Sequence, residues 1–167
     1  MASNKELDMK RAIYPGTFDP ITLGHIEIIE RAQNLFPELI IAVAENRFKH
    51  PLFSLEERVE MISKHFQNHQ GIRVIGFHDL FADLMRREKA DIIIRGLRAI
   101  YDFEYELQII NANKVLGTTQ ETIFLMASPA VNYISSSFVR ELALAGGPTS
   151  NFVAPTVEAA LRRRLSK

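Results

Sequence analysis

The chain has 167 residues, 47% of them hydrophobic, which suits one folded domain with a buried core and excludes a disordered chain. Lys+Arg and Asp+Glu each number 20, so no global basic charge exists to hold a DNA or RNA duplex. The absence of cysteine excludes disulfides and thiolate chemistry. No apolar run approaches the roughly 20 residues of a membrane span, and no secretory signal opens the chain. The sequence predicts a cytoplasmic protein that binds neither nucleic acid nor membrane, with residues 1–9 a disordered N-terminal extension.

Predicted strands and helices alternate along the remaining residues, 10–167, which we interpret as a single domain. The predicted strands are Lys10–Tyr14, Leu39–Ala44, Ile72–Phe77, Asp91–Ile94 and Thr122–Met126. The predicted helices are Gly24–Phe36, one that Ser54 opens, Asp79–Arg87, Ala99–Val115, Ser135–Ala145 and Pro155–Leu165. Repeated strand–helix–strand units with apolar strands predict an α/β protein: a five-stranded parallel sheet with helices on both faces.

The turn after the first strand is the strongest candidate for a binding site. Ligands of open parallel sheets bind beyond the carboxyl ends of the strands. Here Tyr14-Pro15-Gly16-Thr17-Phe18-Asp19-Pro20 leads to Thr22-Leu23-Gly24-His25 at a helix start. Free N–H groups and the positive helix end make this an anion site, and they disfavour an added proton on His25. The spacing matches neither a dinucleotide fingerprint nor a P-loop. The alternative is an ordinary turn, with Asp19 bonding its own backbone and His25 on the surface.

Three further cationic or hydroxyl segments follow predicted strands. Arg95-Gly96-Leu97-Arg98 suits phosphate recognition by forked donors, the alternative being surface ion pairs with Glu104 or Glu106. Ser135-Ser136-Ser137 starts a helix and suits a second anion, the alternative being a plain N-cap. Lys49 follows the second strand, where a solvated loop lysine is the alternative. No acidic or histidine set has clear metal-ligand spacing, so any Mg²⁺ is expected to arrive bound to phosphates.

Five motifs together resemble the bacterial phosphopantetheine adenylyltransferase family, from about Lys10 to the C-terminus. They are Tyr-Pro-Gly-Thr-Phe-Asp-Pro at 14–20, Thr-x-Gly-His at 22–25, Ile-Arg-Gly-Leu-Arg at 94–98, Asp-Phe-Glu-Tyr-Glu at 102–106 and Ile-Ser-Ser-Ser at 134–137. The resemblance implies a Rossmann-like fold and transfer of AMP from ATP to 4′-phosphopantetheine. The products would be dephospho-CoA and pyrophosphate, in the penultimate step of coenzyme A synthesis. It also implies Mg²⁺ and a homohexamer, for which we expect the aromatic-rich helix Ala99–Val115 to supply an interface.

The resemblance also assigns site residues. Predicted ATP contacts are Thr17, Phe18, His25, Gly96, Leu97, Arg98, Glu106, Val131, Asn132, Tyr133, Ile134, Ser135, Ser136 and Ser137. Predicted phosphopantetheine contacts are Thr17, Lys49, Phe81 and Arg95. His25 is the expected catalytic residue, acting on the α/β-phosphate oxygens. Phe81 replaces the methionine or leucine common in the family, and the stretch 131–133 replaces a Trp-containing version.

Two other functions compete with this one, the first of the same class and the second of another. Another adenylyl- or cytidylyltransferase with the same turn would act on nicotinamide mononucleotide or a small phosphorylated alcohol. A non-catalytic flavodoxin-like module would bind a ligand without releasing pyrophosphate. A class I aminoacyl-tRNA synthetase shares the histidine turn, but this chain is too short for a tRNA-binding domain and has no excess of basic charge.

Overall fold

The computed structural model describes residues 11–45 and 50–165. The strands are β1 Arg11–Gly16, β2 Glu38–Ala44, β3 Ile72–Phe77, β4 Ile92–Leu97 and β5 Glu121–Met126. The helices are α1 Leu23–Leu35, α2 Leu55–His65, α3 Phe81–Glu88, α4 Ile100–Val115, α5 Ser136–Leu144 and α6 Pro155–Leu165. The predicted α/β class is confirmed. The predicted extension at residues 1–9 lies outside the described residues, as does Lys49.

The five strands form one parallel sheet in the order β3-β2-β1-β4-β5. β2 and β3 lie on one side of β1, and β4 and β5 lie on the other, so the strand order switches between β1 and β4. β1 pairs with β2 along its whole length, from Arg11 to Gly16. Its pairing with β4 covers only Ala12↔Ile92 and Ile13↔Ile93. The carboxyl-terminal halves of β1 and β4 therefore separate, and a crevice opens at the switch in strand order, where open α/β sheets bind their ligands.

Alternation along the strands supplies two cores, which confirms helices on both faces. One face buries Tyr14 and Ile41 against apolar side chains of α1, α2, α5 and α6, among them Ile29 and Ile62. The other buries residues such as Ile13 and Ile93 against α3. Strands covered on both faces are apolar throughout, which is why β2 reads as an unbroken hydrophobic run.

The predicted boundaries differ from the observed ones at the sites of interest. Arg95 and Gly96 do not follow β4 but lie within it, because β5 pairs with them through Phe124 and Leu125. β1 likewise continues through Gly16 beside β2. In each case the local sequence predicts that the strand ends earlier, but backbone hydrogen bonds to the neighbouring strand extend it. Among the described residues, no helix is long and apolar enough to cross a membrane.

Candidate active site

Two cavities meet at the carboxyl ends of β1 and β4. The first cavity, of about 320 Å³, lies between β4, the start of α1 and the start of α5. The second cavity, of about 410 Å³, lies between the same strand ends, α3 and α4. Pro15, Gly16, Arg95 and Tyr105 line both cavities. The crevice thus offers two adjoining compartments on either side of the β1–β4 junction.

The start of α1 presents His25 to the first cavity in one tautomer. Thr22 is the N-cap, and its Oγ1 accepts from the backbone N–H of His25. In return the backbone N–H of Thr22 donates to His25 Nδ1 at 3.1 Å. Because Nδ1 is an acceptor, the proton of the neutral ring resides on Nε2. His25 therefore offers the cavity an N–H donor.

The same surroundings keep the His25 ring neutral. Burial, together with the positive charge of Arg98, lowers the pKa of His25 to about 4. The predicted resistance to protonation is confirmed in direction, although burial rather than the helix end is its main cause. At neutral pH the ring is a hydrogen-bond donor and not a general acid.

A stack of rings fixes the position of His25. The ring of Phe18 packs edge to face against the rings of His25 and Tyr14, with centroid distances of 5.0 Å and 5.4 Å. Phe18 is buried and adopts a left-handed backbone with φ 49°. A Cβ at Gly16 would lie 2.8 Å from the Phe18 ring, so any other residue at position 16 would force the ring to shift.

Two arginines of the first cavity are held by carboxylates. Arg95 bonds both oxygens of Glu106 at 2.5 and 2.6 Å and also donates to the carbonyl of Pro15. Both partners are largely buried, so the alternative of an ion pair with Glu106 is right about the partner and wrong about a surface location. Arg98 pairs with Asp102 in the same way, half-exposed. Burial raises the pKa of Asp102, but the hydrogen bonds from Arg98 outweigh it, so the net shift is downward.

The start of α5 faces the start of α1 across the first cavity. Ser135 is the N-cap and accepts from the N–H of Phe138, which uses one of the three serines as the cap alternative supposed. The Ser136 hydroxyl donates to the carbonyl of Pro20, and Ser137 accepts from Arg140. Two helix N-termini therefore converge on one cavity, an arrangement that attracts a polyanion.

Asp19 does not bond its own backbone, as the turn alternative supposed. Its carboxylate accepts from the N–H groups of Leu52 and Phe53 at 2.9 and 3.0 Å. Arg140 adds a hydrogen bond to the Asp19 carbonyl and lies 3.6 Å from its carboxylate. The turn is thus tied to the segment before α2 and to α5, contacts that are distant in sequence.

The second cavity collects three of the four predicted phosphopantetheine contacts, namely Thr17, Phe81 and Arg95. Its far wall is one face of α4, where Tyr105, Ile109 and Asn113 recur at a spacing of four. Phe77, Ile93 and Ile110 make the cavity mainly apolar, although Lys114 and Gln120 also line it. At the β1–β4 junction the cavity ends in the guanidinium group of Arg95.

Most predicted ATP contacts lie together in the first cavity. They are Phe18, His25, Gly96, Leu97, Arg98, Glu106, Ile134, Ser135, Ser136 and Ser137. Thr17 lines the second cavity, and Val131, Asn132 and Tyr133 line neither of the two. The carbonyl of Val131 nevertheless lies 3.3 Å from the place of a Cβ at Gly24, beside the start of α1.

Sequence reasoning missed several lining residues. Tyr14 lies in β1 with its side chain in the first cavity, and burial raises the pKa of its hydroxyl to about 12. Its position in the first motif was a signal that could have found it. For Tyr105, Ile109 and Asn113 the signal was their spacing of four along a helix next to a predicted site segment. Nothing in the sequence indicated that Arg58 is buried beneath the turn that contains Thr17 and Phe18, which we call the Thr17 turn.

The described carboxylates of the site do not form a metal cage. No group of three or more histidine, aspartate or glutamate side chains within residues 11–45 and 50–165 could hold an ion. Asp102 and Glu106 face arginines, and Asp19 accepts backbone N–H groups. The donor set therefore fits a cation that arrives with phosphate oxygens better than one held by protein ligands alone.

Comparison with known proteins defines first the class and then the family. A family model described as cytidylyltransferase-like matches residues 13–142, so the chain is a nucleotidyltransferase of that class. Phosphopantetheine adenylyltransferases of Legionella pneumophila strains Lens and Philadelphia 1 are each 48% identical to it over 155 residues. These matches cover 93% of this chain and 91% of each relative. The chain belongs to the phosphopantetheine adenylyltransferase family, as its motifs predict.

A solved structure agrees with the fold. The crystal structure of a putative nicotinate-nucleotide adenylyltransferase from Vibrio parahaemolyticus superposes with a TM-score of 0.65 and 15% identity. The match covers 95% of this chain and 96% of the other. At that identity the likeness concerns the Rossmann-like fold alone.

Proposed function

We propose that this chain transfers AMP from ATP to 4′-phosphopantetheine, giving dephospho-CoA and pyrophosphate. The observation that carries the proposal is the junction of the two cavities at Arg95. One compartment offers two helix N-termini and suits a triphosphate, and the other is apolar and suits the long neutral arm of pantetheine. Membership of the family supports the same substrates.

The reaction requires positioning rather than acid–base chemistry. A phosphate oxygen of phosphopantetheine, already ionised at neutral pH, attacks the α-phosphorus of ATP in line and forms a new O–P bond. The bond from the α-phosphorus to the bridging oxygen breaks, and pyrophosphate leaves with the electron pair. No proton has to move in this step. Catalysis then depends on holding two polyanions together and stabilising the charge that develops on the leaving group.

His25 is the group we assign to that developing charge. His25 lines the first cavity and Thr22 holds its Nδ1, so Nε2–H is the donor left for a substrate before it arrives. A pKa of about 4 keeps the ring neutral at neutral pH, and the Thr22 N–H at Nδ1 selects the tautomer with the proton on Nε2. A bound polyphosphate would raise this pKa, but a donor at Nε2 is present in either protonation state.

The remaining predicted contacts take complementary roles in the proposal. Arg95 and Thr17, with Lys49 outside the described residues, hold the incoming phosphate, and Phe81 borders the pantetheine arm. Ser136, Ser137 and Arg98 hold the phosphates of ATP. The stretch 131–133 borders the start of α1 and contacts adenine through its backbone.

Mg²⁺ is part of the proposal as a cation carried by ATP. It would supply charge neutralisation on the phosphate oxygens. The first cavity fits such a complex because its carboxylates are already paired with arginines. The cation would then keep phosphate oxygens and water as its ligands.

The test is pyrophosphate release from ATP with phosphopantetheine as acceptor, and identification of dephospho-CoA as product. Nicotinamide mononucleotide, nicotinate mononucleotide and phosphocholine serve as competing acceptors, the last with CTP as well as ATP. Preference for one of these over phosphopantetheine would refute the proposed acceptor. ATP binding without pyrophosphate release from any acceptor would refute the enzyme.

We also propose a homohexamer located in the cytoplasm, where ATP is available. Support for self-association comes from α4, none of whose 16 residues is buried in the single chain. Ile100 and Tyr101 are 89% and 73% exposed, an unusual placement for large apolar side chains. Analytical ultracentrifugation of the wild type should give six copies, and Ile100→Glu should give smaller species. A monomeric wild type would refute the assembly.

A further inference from the structure

We propose that Arg58 is a positioning residue for the adenylyl transfer, holding the Thr17 turn in the shape that receives phosphate. The inference rests on the proposed function and goes beyond the residues assigned to it. Arg58 lies in α2 and lines neither cavity. It acts through the backbone that carries Thr17 and Phe18.

Arg58 is buried as completely as the apolar core. Only 1% of the residue is exposed, although its charge normally requires water. Burial lowers its pKa, and the nearby carboxylates of Asp19, Glu45 and Glu56 oppose that shift. The side chain remains a guanidinium cation, which is costly to bury without partners of good geometry.

Its partners are main-chain carbonyls from three separate segments. Nη1 donates to Thr17 at 2.6 Å and to Ala44, the last residue of β2, at 2.8 Å. Nε donates to Phe53 and Ser54, before α2, at 3.1 and 3.2 Å. One planar group therefore joins the turn after β1, the end of β2 and the start of α2.

The bond to Thr17 fixes the orientation of the peptide unit at the site. In a trans peptide the carbonyl and the following N–H point in opposite directions. Since the Thr17 carbonyl points at Arg58, the N–H of Phe18 points away from it. The geometry assigns this N–H, and the Thr17 side chain beside it, to the phosphate side of the turn. Without Arg58 the peptide unit loses the bond that sets this orientation.

Asp19 provides a second tie between the same segments. It accepts from the N–H groups of Leu52 and Phe53, so the turn is held through a carbonyl at Thr17 and a carboxylate at Asp19. Replacing a buried charge by an apolar side chain of similar volume is often neutral or stabilising, so stability alone does not require an arginine at this position. The contacts of Arg58 instead converge on the backbone of the site.

The test compares Arg58→Met and Arg58→Lys with Ile62→Ala, a core truncation one turn further along α2. Ile62 is fully buried and lines neither cavity, so its loss should reduce stability while leaving kcat/KM of the folded enzyme unchanged. Folded fractions are measured by circular dichroism and all rates are expressed per folded molecule. Arg58→Met should lower kcat/KM for both substrates about 100-fold, the effect of misplacing a site by about 1 Å.

Arg58→Lys keeps the charge but not the planar fork, so it should lie between wild type and Arg58→Met. It also carries the test if Arg58→Met does not fold. Normal kcat/KM in either folded variant would overturn the proposal, as would a loss in Ile62→Ala equal to that in Arg58→Met.

ATP binding by calorimetry separates this proposal from the proposed function. A wild type that binds ATP without transferring AMP sinks the function, whereas a wild-type kcat/KM for phosphopantetheine in a folded Arg58 variant sinks the positioning role.

Discussion

Replacement of His25 tests the proposed catalytic role most directly, and the structure allows its two contacts to be separated. The ring accepts at Nδ1 from the Thr22 N–H and donates at Nε2 into the first cavity. In His25→Asn the amide oxygen takes about the place of Nδ1, so the cap is kept and the donor is lost. In His25→Ala both contacts are lost.

The two variants should therefore differ in stability and agree in rate. Loss of one donor aimed at transition-state charge costs about 3–4 kcal/mol, or about 10²–10³ in kcat, with ATP affinity changed far less. Loss of the cap contact costs about 1 kcal/mol of folding free energy, because Thr22 Oγ1 still caps the helix. We expect kcat to fall alike in both variants, and the midpoint of urea unfolding to fall only in His25→Ala.

The assay is steady-state pyrophosphate release at saturating ATP and phosphopantetheine, with Mg²⁺ in excess over ATP. A kcat of His25→Asn within tenfold of wild type would refute the donor role. A loss confined to His25→Ala would mean that the cap, and not the donor, maintains activity.

Three further predictions follow from contacts within the site. Gly16→Ala places a Cβ 2.8 Å from the Phe18 ring. We expect a loss of about 1–3 kcal/mol in urea unfolding and a fall in kcat/KM for ATP, whereas unchanged stability would show that the stack yields freely. Arg95→Lys removes the two-pronged geometry and should raise KM for phosphopantetheine at least about tenfold, more than KM for ATP. Glu106→Gln should act in the same direction but less, and a rise confined to the KM for ATP in both variants would contradict the assignment of Arg95. Because His25 titrates near pH 4 when folded and near 6.5 when unfolded, only the unfolded chain takes up its proton between these values. The wild type should therefore lose up to about 3 kcal/mol more stability than His25→Asn as pH falls from 6.5 to 4, and parallel pH–stability curves would contradict the neutral buried ring.

The sequence by itself determined the elements and the family. Continuous apolar runs and helical stripes are local patterns, and they placed β2, the Ser54-capped helix and the parallel sheet correctly. The motifs that carry the resemblance are also local, so ten of the predicted ATP contacts lie in one cavity and three phosphopantetheine contacts in the other. The ends of the strands were predicted less accurately than the strands themselves. Arg95 and Gly96 lie inside β4 because β5, which is distant in sequence, pairs with them.

Only the tertiary structure decided how those residues are held. The pairing of β1 with β4 stops after two residue pairs, and this opens the crevice between the cavities. The partners of Arg95, Asp19 and Arg58 are separated from them by between four and 121 positions, and nothing in a local pattern selects one partner over another. The depressed pKa of His25 likewise arises from burial, which depends on how the segments pack. Motifs fix which chemical groups are present, whereas packing fixes their orientation and charge state.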